Sequence, residues 1–292
     1  MIQIDSFFAG AGLFDLGFLM AGHQIKNSFE IDPVACQTQR MNYGHNISET
    51  DITQKLVLDH TDSNVLLGTY PCTKYSNIAN IHGTRTGDEL FLHFFRNIAI
   101  RRPDVFIVEN VPGMKKFPIV MEAMTKIPDY THVFCPVNAN TWLPQERKRL
   151  IILGTRRYFN WNAPKIKGSP VKLRDVIDPD AEIEITKSMH SRMSGVYRDQ
   201  PIISDPAKDD IAPTCVAHYA KDRSTRLVVD KRSPLGVRPY TPREYARLQG
   251  VPDFYRIAGT KNQQYTQIGN GVPVPLGEWI GNELKRYFYK SA

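Results

Sequence analysis

A cysteine after a short apolar run is the first residue in this chain whose type and position suit chemistry. Val65-Leu66-Leu67 indicates a buried strand that ends at Gly68, and Pro71-Cys72 follows it. Open α/β sheets bind their ligands just beyond the ends of such strands, so a thiol there could act as a nucleophile. Most cysteines are instead small buried hydrophobic residues. This stretch alone leaves both interpretations open.

A carboxylate and two arginines stand at comparable places later in the chain. The apolar run over residues 104–108 predicts another strand, which ends at Glu109. Arg147 and Arg149 are two residues apart, so an extended segment places both on the same side. We therefore expect an acidic group and paired cations on elements that neighbour the strand before Cys72.

The N-terminal stretch has the pattern of a nucleotide-binding turn. A predicted strand over residues 2–8 leads into Gly10 and Gly12, and a helix-like apolar stretch follows. Glycines at such a turn let the backbone approach a ligand. The next predicted strand, residues 25–29, ends in Glu30-Ile31-Asp32, where this architecture binds a ribose diol. Two glycines make an incomplete pattern, so an ordinary surface turn remains an alternative.

Predicted strands and helices alternate over about the first 155 residues, which indicates an α/β fold with a doubly wound, mostly parallel sheet. An aromatic stripe at helical spacing within residues 89–101 is typical of a core-facing helix. After Arg157, frequent Pro and Gly residues favour a small irregular β-rich domain. We predict three regions, residues 1–160, 161–235 and 236–292. The last should hold a helix over 241–249 and another from Val274 to about residue 288.

Composition and charge exclude some classes of protein. The 292 residues, 41% of them hydrophobic, can bury a full core, and no apolar run approaches the ~18 residues of a membrane span. The four cysteines are far apart, which fits neither a disulfide framework nor a zinc site and indicates a reducing cytoplasm. Lys and Arg outnumber Asp and Glu by 37 to 30. This excess fits a nucleic-acid partner or an ordinary basic surface equally well.

Taken together, these segments resemble the DNA (cytosine-5) methyltransferase family, in order and along nearly the whole chain. Each motif is weak or moderate alone, and their common order makes the resemblance specific. The matching segments are Phe8-Ala9-Gly10-Ala11-Gly12, Glu30-Ile31-Asp32, Asp51-Ile52, Pro71-Cys72, Glu109-Asn110-Val111, Gln145-x-Arg147-x-Arg149, Arg243-Glu244-x-Ala246-Arg247-Leu248 and Gly269-Asn270-x-Val272.

The resemblance implies a Rossmann-like, S-adenosylmethionine-dependent methyltransferase. Such an enzyme methylates carbon 5 of a flipped-out cytosine in a short double-stranded DNA sequence, through a covalent bond to Cys72. The resemblance also implies that Glu109 stabilises the cytosine ring nitrogen next to the amino-bearing carbon. Arg147 and Arg149 would donate to the carbonyl oxygen of the base and to nearby phosphates. Residues 1–160 would be the catalytic domain, 161–235 the target-recognition domain, and 236–292 a hinge helix and a return to the catalytic domain. We expect a cytoplasmic monomer of bacterial or phage origin that needs no metal and no membrane.

The same resemblance assigns binding residues. Glu30 would take the ribose hydroxyls and Asp51 the adenine amino group, with residues 73–88 as a lid over the extruded base. The implied cofactor-binding residues are Phe8, Gly10, Gly12, Glu30, Ile31, Asp51, Ile52, Pro71 and Asn270. The implied DNA-binding residues are Lys74, Ser76, Arg85, Arg192, Arg198, Thr214, Arg223 and Arg226.

The chain departs from the family pattern at three positions, and none of them changes the nucleophile. Thr73 stands where glutamine is usual, Ser6 where aspartate is usual, and Leu13 where a second glycine is common. Three alternatives remain: a methyltransferase acting on cytosine in transfer RNA, an inactive DNA-binding homologue, and a nicotinamide oxidoreductase. The last leaves Pro71-Cys72 and the paired arginines unexplained.

Overall fold

The computed structural model describes residues 1–54, 63–71, 89–126, 129–166, 168–195 and 201–289. The first part of the chain contains β1 (Gln3–Phe7), α1 (Leu13–Met20), β2 (Gln24–Glu30), α2 (Pro33–Asn42), β3 (Asn46–Glu49), β4 (Val65–Gly68), α3 (Glu89–Arg101), β5 (Val105–Asn110), α4 (Pro118–Lys126), β6 (Tyr130–Asn138) and β7 (Lys148–Thr155). The second part contains α5 (Leu173–Val176), α6 (Lys187–Ser194), β8 (Ile202–Ser204), β9 (Arg226–Val229), β10 (Val237–Pro239), α7 (Pro242–Arg247), α8 (Lys261–Asn270) and α9 (Val274–Tyr289).

Seven strands of the described residues form one sheet, in the order β3-β2-β1-β4-β5-β7-β6. The first five in this order are parallel to one another, and β7 runs antiparallel to both β5 and β6. The predicted α/β fold with a mostly parallel sheet is confirmed. Because parallel strands end at one edge of a sheet, the segments after β1, β2, β4 and β5 lie at that edge. The antiparallel β7 begins there.

The buried strands are the continuous apolar runs of the sequence. Every residue of β4 and β5 is buried, as expected for parallel strands that are covered on both faces. The aromatic stripe of α3 lies in the same core, with Phe91 and Phe94 6% and 0% exposed. The interpretation of this stripe as core is therefore confirmed.

The chain divides into two compact units. The first contains Met1–Asn138, Lys148–Pro164 and Leu276–Ala292, and the second contains Ala139–Arg147 and Lys165–Pro275. Within the first unit α9 packs against α1, since a Cβ added to Gly277 would lie 2.4 Å from the carbonyl oxygen of Phe14. The C-terminal helix thus packs against a helix of the N-terminal half of the chain.

The second unit has its own sheet and core. Its strands lie in the order β10-β9-β8. The rings of Tyr219, Tyr245 and Tyr265 pack together, with centroids 4.7–5.5 Å apart. The ion pair of Arg238 and Glu244 is fully buried beside them, and Glu244 also closes the capping box that begins α7. Buried charges paired with this geometry fix the entry to α7.

Several elements were not predicted from the sequence, α4 and α5 among them. The edge strand β3 and the helices α6 and α8 were not predicted, because their residues are mainly polar and lack a clear apolar period.

No described helix is long and apolar enough to cross a membrane. Within the same residues, no group of three or more His, Cys, Asp or Glu side chains could hold a metal ion.

Candidate active site

The turn after β1 has a left-handed backbone at three residues. Phe8, Gly10 and Gly12 have φ angles of 58°, 55° and 72°. Glycine adopts this conformation freely, whereas phenylalanine does so only where its surroundings hold it. A Cβ added to Gly10 would meet no atom within 4 Å, so open space faces the turn there. The turn leaves room for a ligand beside its backbone.

Side chains from other segments hold the carbonyl groups of this turn. Thr69 Oγ1 donates to the carbonyl of Phe8 at 2.8 Å. The carbonyls of the two glycines accept from Gln39 Nε2 and from the Tyr43 hydroxyl, each at 2.7 Å. The sequence carries no signal for these three donors, because their contact with the turn depends on how β4 and α2 pack beside β1.

Glu30 ends β2 beside the turn, and its carboxylate accepts three backbone N–H groups. The N–H of Gly10 donates to Oε2 at 2.7 Å, and those of Ile31 and Asp32 donate to Oε1 at 2.9 Å each. A carboxylate has about four acceptor sites, so capacity remains for a further donor. Asp32 has a different function, since it accepts from the first turn of α2 as its N-cap.

Two further members of the predicted cofactor set, Ile31 and Asp51, follow the ends of β2 and β3. Ile31 is 62% exposed, so its apolar side chain is accessible beside the end of β2. Asp51 accepts from the hydroxyl and the N–H of Thr53, and these hydrogen bonds lower the pKa of Asp51. Ile52 is 4% exposed and belongs to the core of the first unit.

A buried ion pair lies at the same edge of the sheet. Glu109, near the end of β5, is 6% exposed, and its Oε1 accepts from Arg149 Nε at 2.8 Å. The pair forms because the antiparallel β7 places Ile151 opposite Glu109 and begins beside the end of β5. A carboxylate with a fixed guanidinium partner is thus held where the parallel strands end.

The segment after β4 is fixed on both sides. The N–H of Thr69 donates to the carbonyl of Phe7 at 3.2 Å, which extends the contact between β1 and β4. On the other side, Asn110 Nδ2 donates to the carbonyl of Tyr70 at 3.1 Å. Tyr70 is buried and Pro71 is exposed. The chain therefore leaves the sheet from a defined position between β1 and β5.

Several predicted residues lie outside the described part of the chain. They are the predicted nucleophile Cys72 and the predicted DNA contacts Lys74, Ser76, Arg85 and Arg198.

Arg147 belongs to the second unit and is buried in it. The side chain is 2% exposed, and its guanidinium donates to the carbonyls of Cys215, Gly269 and Gly271, the last at 2.7 Å. The two glycines flank Asn270, which is exposed at the end of α8. Arg147 and Arg149, which the sequence groups together, therefore have separate sets of partners.

The predicted DNA contacts of the second unit also have protein partners. Arg192 pairs with Asp222, and Arg223 pairs with Glu184, both at 2.6 Å. Arg226 Nε donates to the carbonyl of Thr214 at 3.0 Å, and the Thr214 hydroxyl donates to the carbonyl of Glu146 at 2.5 Å.

A buried polar network behind the turn was missed by sequence reasoning. Asp15 in α1 accepts from Ser6 Oγ at 2.7 Å and from Ser28 Oγ at 3.2 Å, and Ser28 contacts His45 Nε2 at 2.8 Å. Burial raises the pKa of Asp15 to about 6, although the two serine hydroxyls partly oppose this change. Burial also lowers the pKa of His45 to about 4. The serine that replaces the usual aspartate at position 6 is thus a hydrogen-bond partner of Asp15.

Comparisons with known proteins identify relatives along the whole chain. A family model described as C-5 cytosine-specific DNA methylase matches residues 2–286. The Type II methyltransferase M.NlaX of Neisseria lactamica is 28% identical over 306 aligned residues, which cover 98% of this chain and 96% of that protein. The Type II methyltransferase M.Bsp6I of Bacillus sp. strain RFL6 is 29% identical over 325 aligned residues, which cover 100% of this chain and 99% of that protein.

Solved structures share the fold. The methyltransferase EhMeth of Entamoeba histolytica superposes with a TM-score of 0.79 at 16% identity, covering 99% of this chain and 98% of that one. The S. pombe Dnmt2 methyltransferase superposes with a TM-score of 0.78 at 16% identity, covering 99% of both chains. At such identities the likeness concerns the fold alone.

Proposed function

Because the chain belongs to the C-5 cytosine-specific DNA methylase family, we propose that it methylates carbon 5 of a flipped-out cytosine in a short, specific double-stranded DNA sequence. S-adenosylmethionine is the donor, and the reaction uses a covalent bond between Cys72 and the cytosine ring. The observation that carries this proposal is the buried pair of Glu109 and Arg149, at the sheet edge from which the chain leads to Cys72. A carboxylate and a guanidinium are the groups that a cytosine ring under nucleophilic attack requires.

The turn after β1 and the end of β2 fit the nucleoside part of S-adenosylmethionine. Glu30 has acceptor capacity for the ribose hydroxyls, and the open side of Gly10 leaves room for the ligand. The exposed Ile31 offers an apolar surface for adenine, and Asp51, with its lowered pKa, is ionised at neutral pH and can accept from the adenine amino group. When bound, S-adenosylmethionine supplies a methyl group on a positively charged sulfur. Family resemblance adds Phe8, Gly12, Ile52, Pro71 and Asn270 to this site.

Cys72 is the proposed nucleophile. Carbon 5 of cytosine is too electron-poor to take a methyl group unaided, and addition of a thiolate at carbon 6 converts the ring into an enamine that is nucleophilic at carbon 5. Free thiols have a pKa near ~8.5, so a cationic neighbourhood favours the reactive thiolate. After carbon 5 is methylated, its proton leaves to water or hydroxide and the Cys72 sulfur is eliminated, which restores the ring double bond.

Glu109 and Arg149 stabilise the attacked ring. The Glu109 carboxyl shares a proton with the ring nitrogen next to the amino-bearing carbon and accepts from the amino group, which selects cytosine over thymine. Arg149 holds this carboxyl through Nε and can present its remaining N–H groups to the carbonyl oxygen of the base. Within the second unit, Arg147 donates to the carbonyls that flank Asn270, a residue that the family resemblance assigns to the cofactor.

The target base must leave the duplex, at a cost of a few kcal/mol. We propose that residues 161–235 read the target sequence, with Thr214 at a phosphate, and that residues 236–292 are the hinge and the return to the catalytic domain. Arg192 and Arg223 are committed to ion pairs, so their contribution is to hold this region in shape. Arg226 bonds to a carbonyl and a hydroxyl, which leaves its charge available to DNA.

The proposal is tested with tritiated S-adenosylmethionine and three substrates: plasmid DNA, single-stranded DNA and transfer RNA. We expect label at carbon 5 of cytosine in plasmid DNA, and none with Cys72→Ser. Bisulfite sequencing of the product then gives the target sequence. Label in transfer RNA alone would favour the RNA-methylating alternative. Full activity of Cys72→Ser would contradict the proposal.

A further inference from the structure

Thr69 lies in the segment between β4 and the proposed nucleophile Cys72, and it contacts the turn of the proposed cofactor site. It has no assigned role. It is the first residue after β4, and its hydroxyl donates to the carbonyl of Phe8 at 2.8 Å. Phe8 belongs to the proposed cofactor site, and its φ of 58° is a conformation that side chains other than glycine rarely adopt. A left-handed residue that large persists only where its surroundings hold it.

The left-handed conformation creates a need that Thr69 meets. The regular pairing of β1 with β4 ends at Phe7 and Gly68, so the next carbonyl, that of Phe8, is beyond the ladder. A buried or half-buried carbonyl must find a donor. Thr69 supplies it from its side chain, while its own N–H donates to Phe7. One residue thus binds two successive carbonyls at the start of the turn.

A second contact joins the same segment to Phe8. The ring of Tyr70 meets the ring of Phe8 edge to face, with centroids 6.2 Å apart. Tyr70 is itself fixed by Asn110 Nδ2 on its carbonyl. Phe8 is therefore held through its backbone by Thr69 and through its ring by Tyr70.

We propose that Thr69 is a positioning residue for S-adenosylmethionine: its hydroxyl holds Phe8 in the conformation that receives the cofactor. This inference rests on the proposed function, because it assumes that the turn binds S-adenosylmethionine. Loss of the hydroxyl releases the backbone of Phe8 to conformations with negative φ, so binding must then restore the left-handed one. Affinity for the cofactor should fall, and the rate at saturating cofactor should change little.

The test compares variants of this chain by calorimetric titration with S-adenosylmethionine and with S-adenosylhomocysteine. Thr69→Val removes the hydroxyl and keeps the shape, and we expect Kd to rise about tenfold, which corresponds to about 1.4 kcal/mol. Thr69→Ser keeps the hydroxyl and should bind like the wild type. In DNA methylation assays, Thr69→Val should raise KM for S-adenosylmethionine and leave kcat within about twofold of the wild type.

Thr155→Val is the matched control. Its hydroxyl also donates to a backbone carbonyl, that of Arg157 at 2.9 Å, but it lies beside Val105 at the other edge of the sheet. Thr155→Val should lower the unfolding temperature without changing the Kd for S-adenosylmethionine. If Thr69→Val folds poorly, Thr69→Ala removes the same hydroxyl and should show the same rise in Kd.

Two outcomes separate the inference from the proposed function. If Thr69→Val lowers the unfolding temperature but binds S-adenosylmethionine as the wild type does, Thr69 is merely structural and the inference is wrong. If the wild type itself binds neither nucleoside, the proposed function has failed.

Discussion

Asp15 shows how a single buried residue makes the stability of the protein depend on pH. The rise of its pKa from 3.8 to about 6 means that the ionised form costs about 3 kcal/mol in the folded state. Between these two pH values the folded state holds a proton that the unfolded state has released. The contribution of Asp15 to stability is therefore complete below about pH 4 and is lost as the pH rises through about 6.

We predict that Asp15→Asn raises the unfolding temperature at pH 8 and does so less at pH 4.5. The reason is that asparagine carries no charge to desolvate, while the serine hydroxyls around it can reorient. Thermal unfolding of variant and wild type at both pH values measures the difference. Asp129→Asn, at an exposed position, serves as the control for the removal of a carboxylate. An Asp15→Asn effect that is equal at both pH values would contradict the buried titration.

Arg149 is predicted to affect stability and activity through the same contact. Arg149→Met breaks the buried ion pair with Glu109, which costs about 3–5 kcal/mol of stability. It also removes a donor from the reacting ring, with an expected loss of about 10²–10³ in kcat by analogy with a deleted oxyanion donor. Urea unfolding and tritium incorporation measure the two effects.

The double variant Glu109→Gln/Arg149→Met separates the effect on stability from the effect on methylation. Neutral glutamine needs no cation, so stability should recover while methylation stays low. Recovery of methylation in the double variant would exclude the proposed role of this pair.

The positions of Glu30 and Glu109 at strand ends were predictable, since carboxylates directly after apolar runs must lie at the end of a parallel sheet. The contacts that hold the turn were not. Thr69 and Gln39 bond to residues 61 and 29 positions away along the chain, and no local pattern marks such pairs. The buried contacts of Asp15 were not predictable for the same reason, because its partners come from two different strands.

At the scale of elements, the return of α9 to α1 depends on two glycines. A Cβ at Gly277 would lie 2.4 Å from the carbonyl oxygen of Phe14, and one at Gly281 would lie 2.6 Å from the Cβ of Ala21. Between the two helices His23 Nε2 contacts the carbonyl of Gly281 at 2.6 Å. The close approach of the helices leaves no room for a side chain at these positions.

We predict that Gly277→Ala destabilises the protein by about 1–3 kcal/mol, the usual cost of inserting a methyl group into a packed contact. Gly44→Ala is the matched control, because a Cβ there would meet no atom within 4 Å. Thermal unfolding of both variants compares the two sites. Equal stability of the two variants would mean that α9 does not pack closely on α1.

Strong apolar patterns made most elements predictable, and weak ones did not. α3, α9 and the buried strands were predicted with nearly their observed bounds. α8 was missed because it is mainly polar and its start is marked only by the capping box of Thr260 and Gln263. The edge strand β3 has no apolar run, and its place follows from its pairing with β2.

At the scale of the whole molecule, the chain crosses between its two units several times. Residues 139–147 belong to the second unit, although they lie between two strands of the first. The reason lies in their side chains, since Gln145 and Arg147 bond to carbonyls of residues 248 and 215 in the second unit. A division of the sequence into the consecutive regions 1–160, 161–235 and 236–292 does not include such crossings. They depend on contacts between residues about 70 to 120 positions apart in the chain.

The family motifs are distributed over both units, so the proposed reaction is a property of the whole chain. Its central claim is that Cys72 bonds to cytosine during methylation. DNA in which 5-fluorocytosine replaces cytosine tests this claim directly, because fluorine in place of the carbon-5 proton prevents the final elimination.

The deciding measurement is a denaturing gel of protein incubated with this DNA and S-adenosylmethionine. We expect a denaturant-stable complex for the wild type, dependent on S-adenosylmethionine, with the modified base on the peptide that contains Cys72. Cys72→Ser should form none. A wild type that methylates ordinary DNA but forms no such complex, or a complex of equal yield with Cys72→Ser, would contradict it.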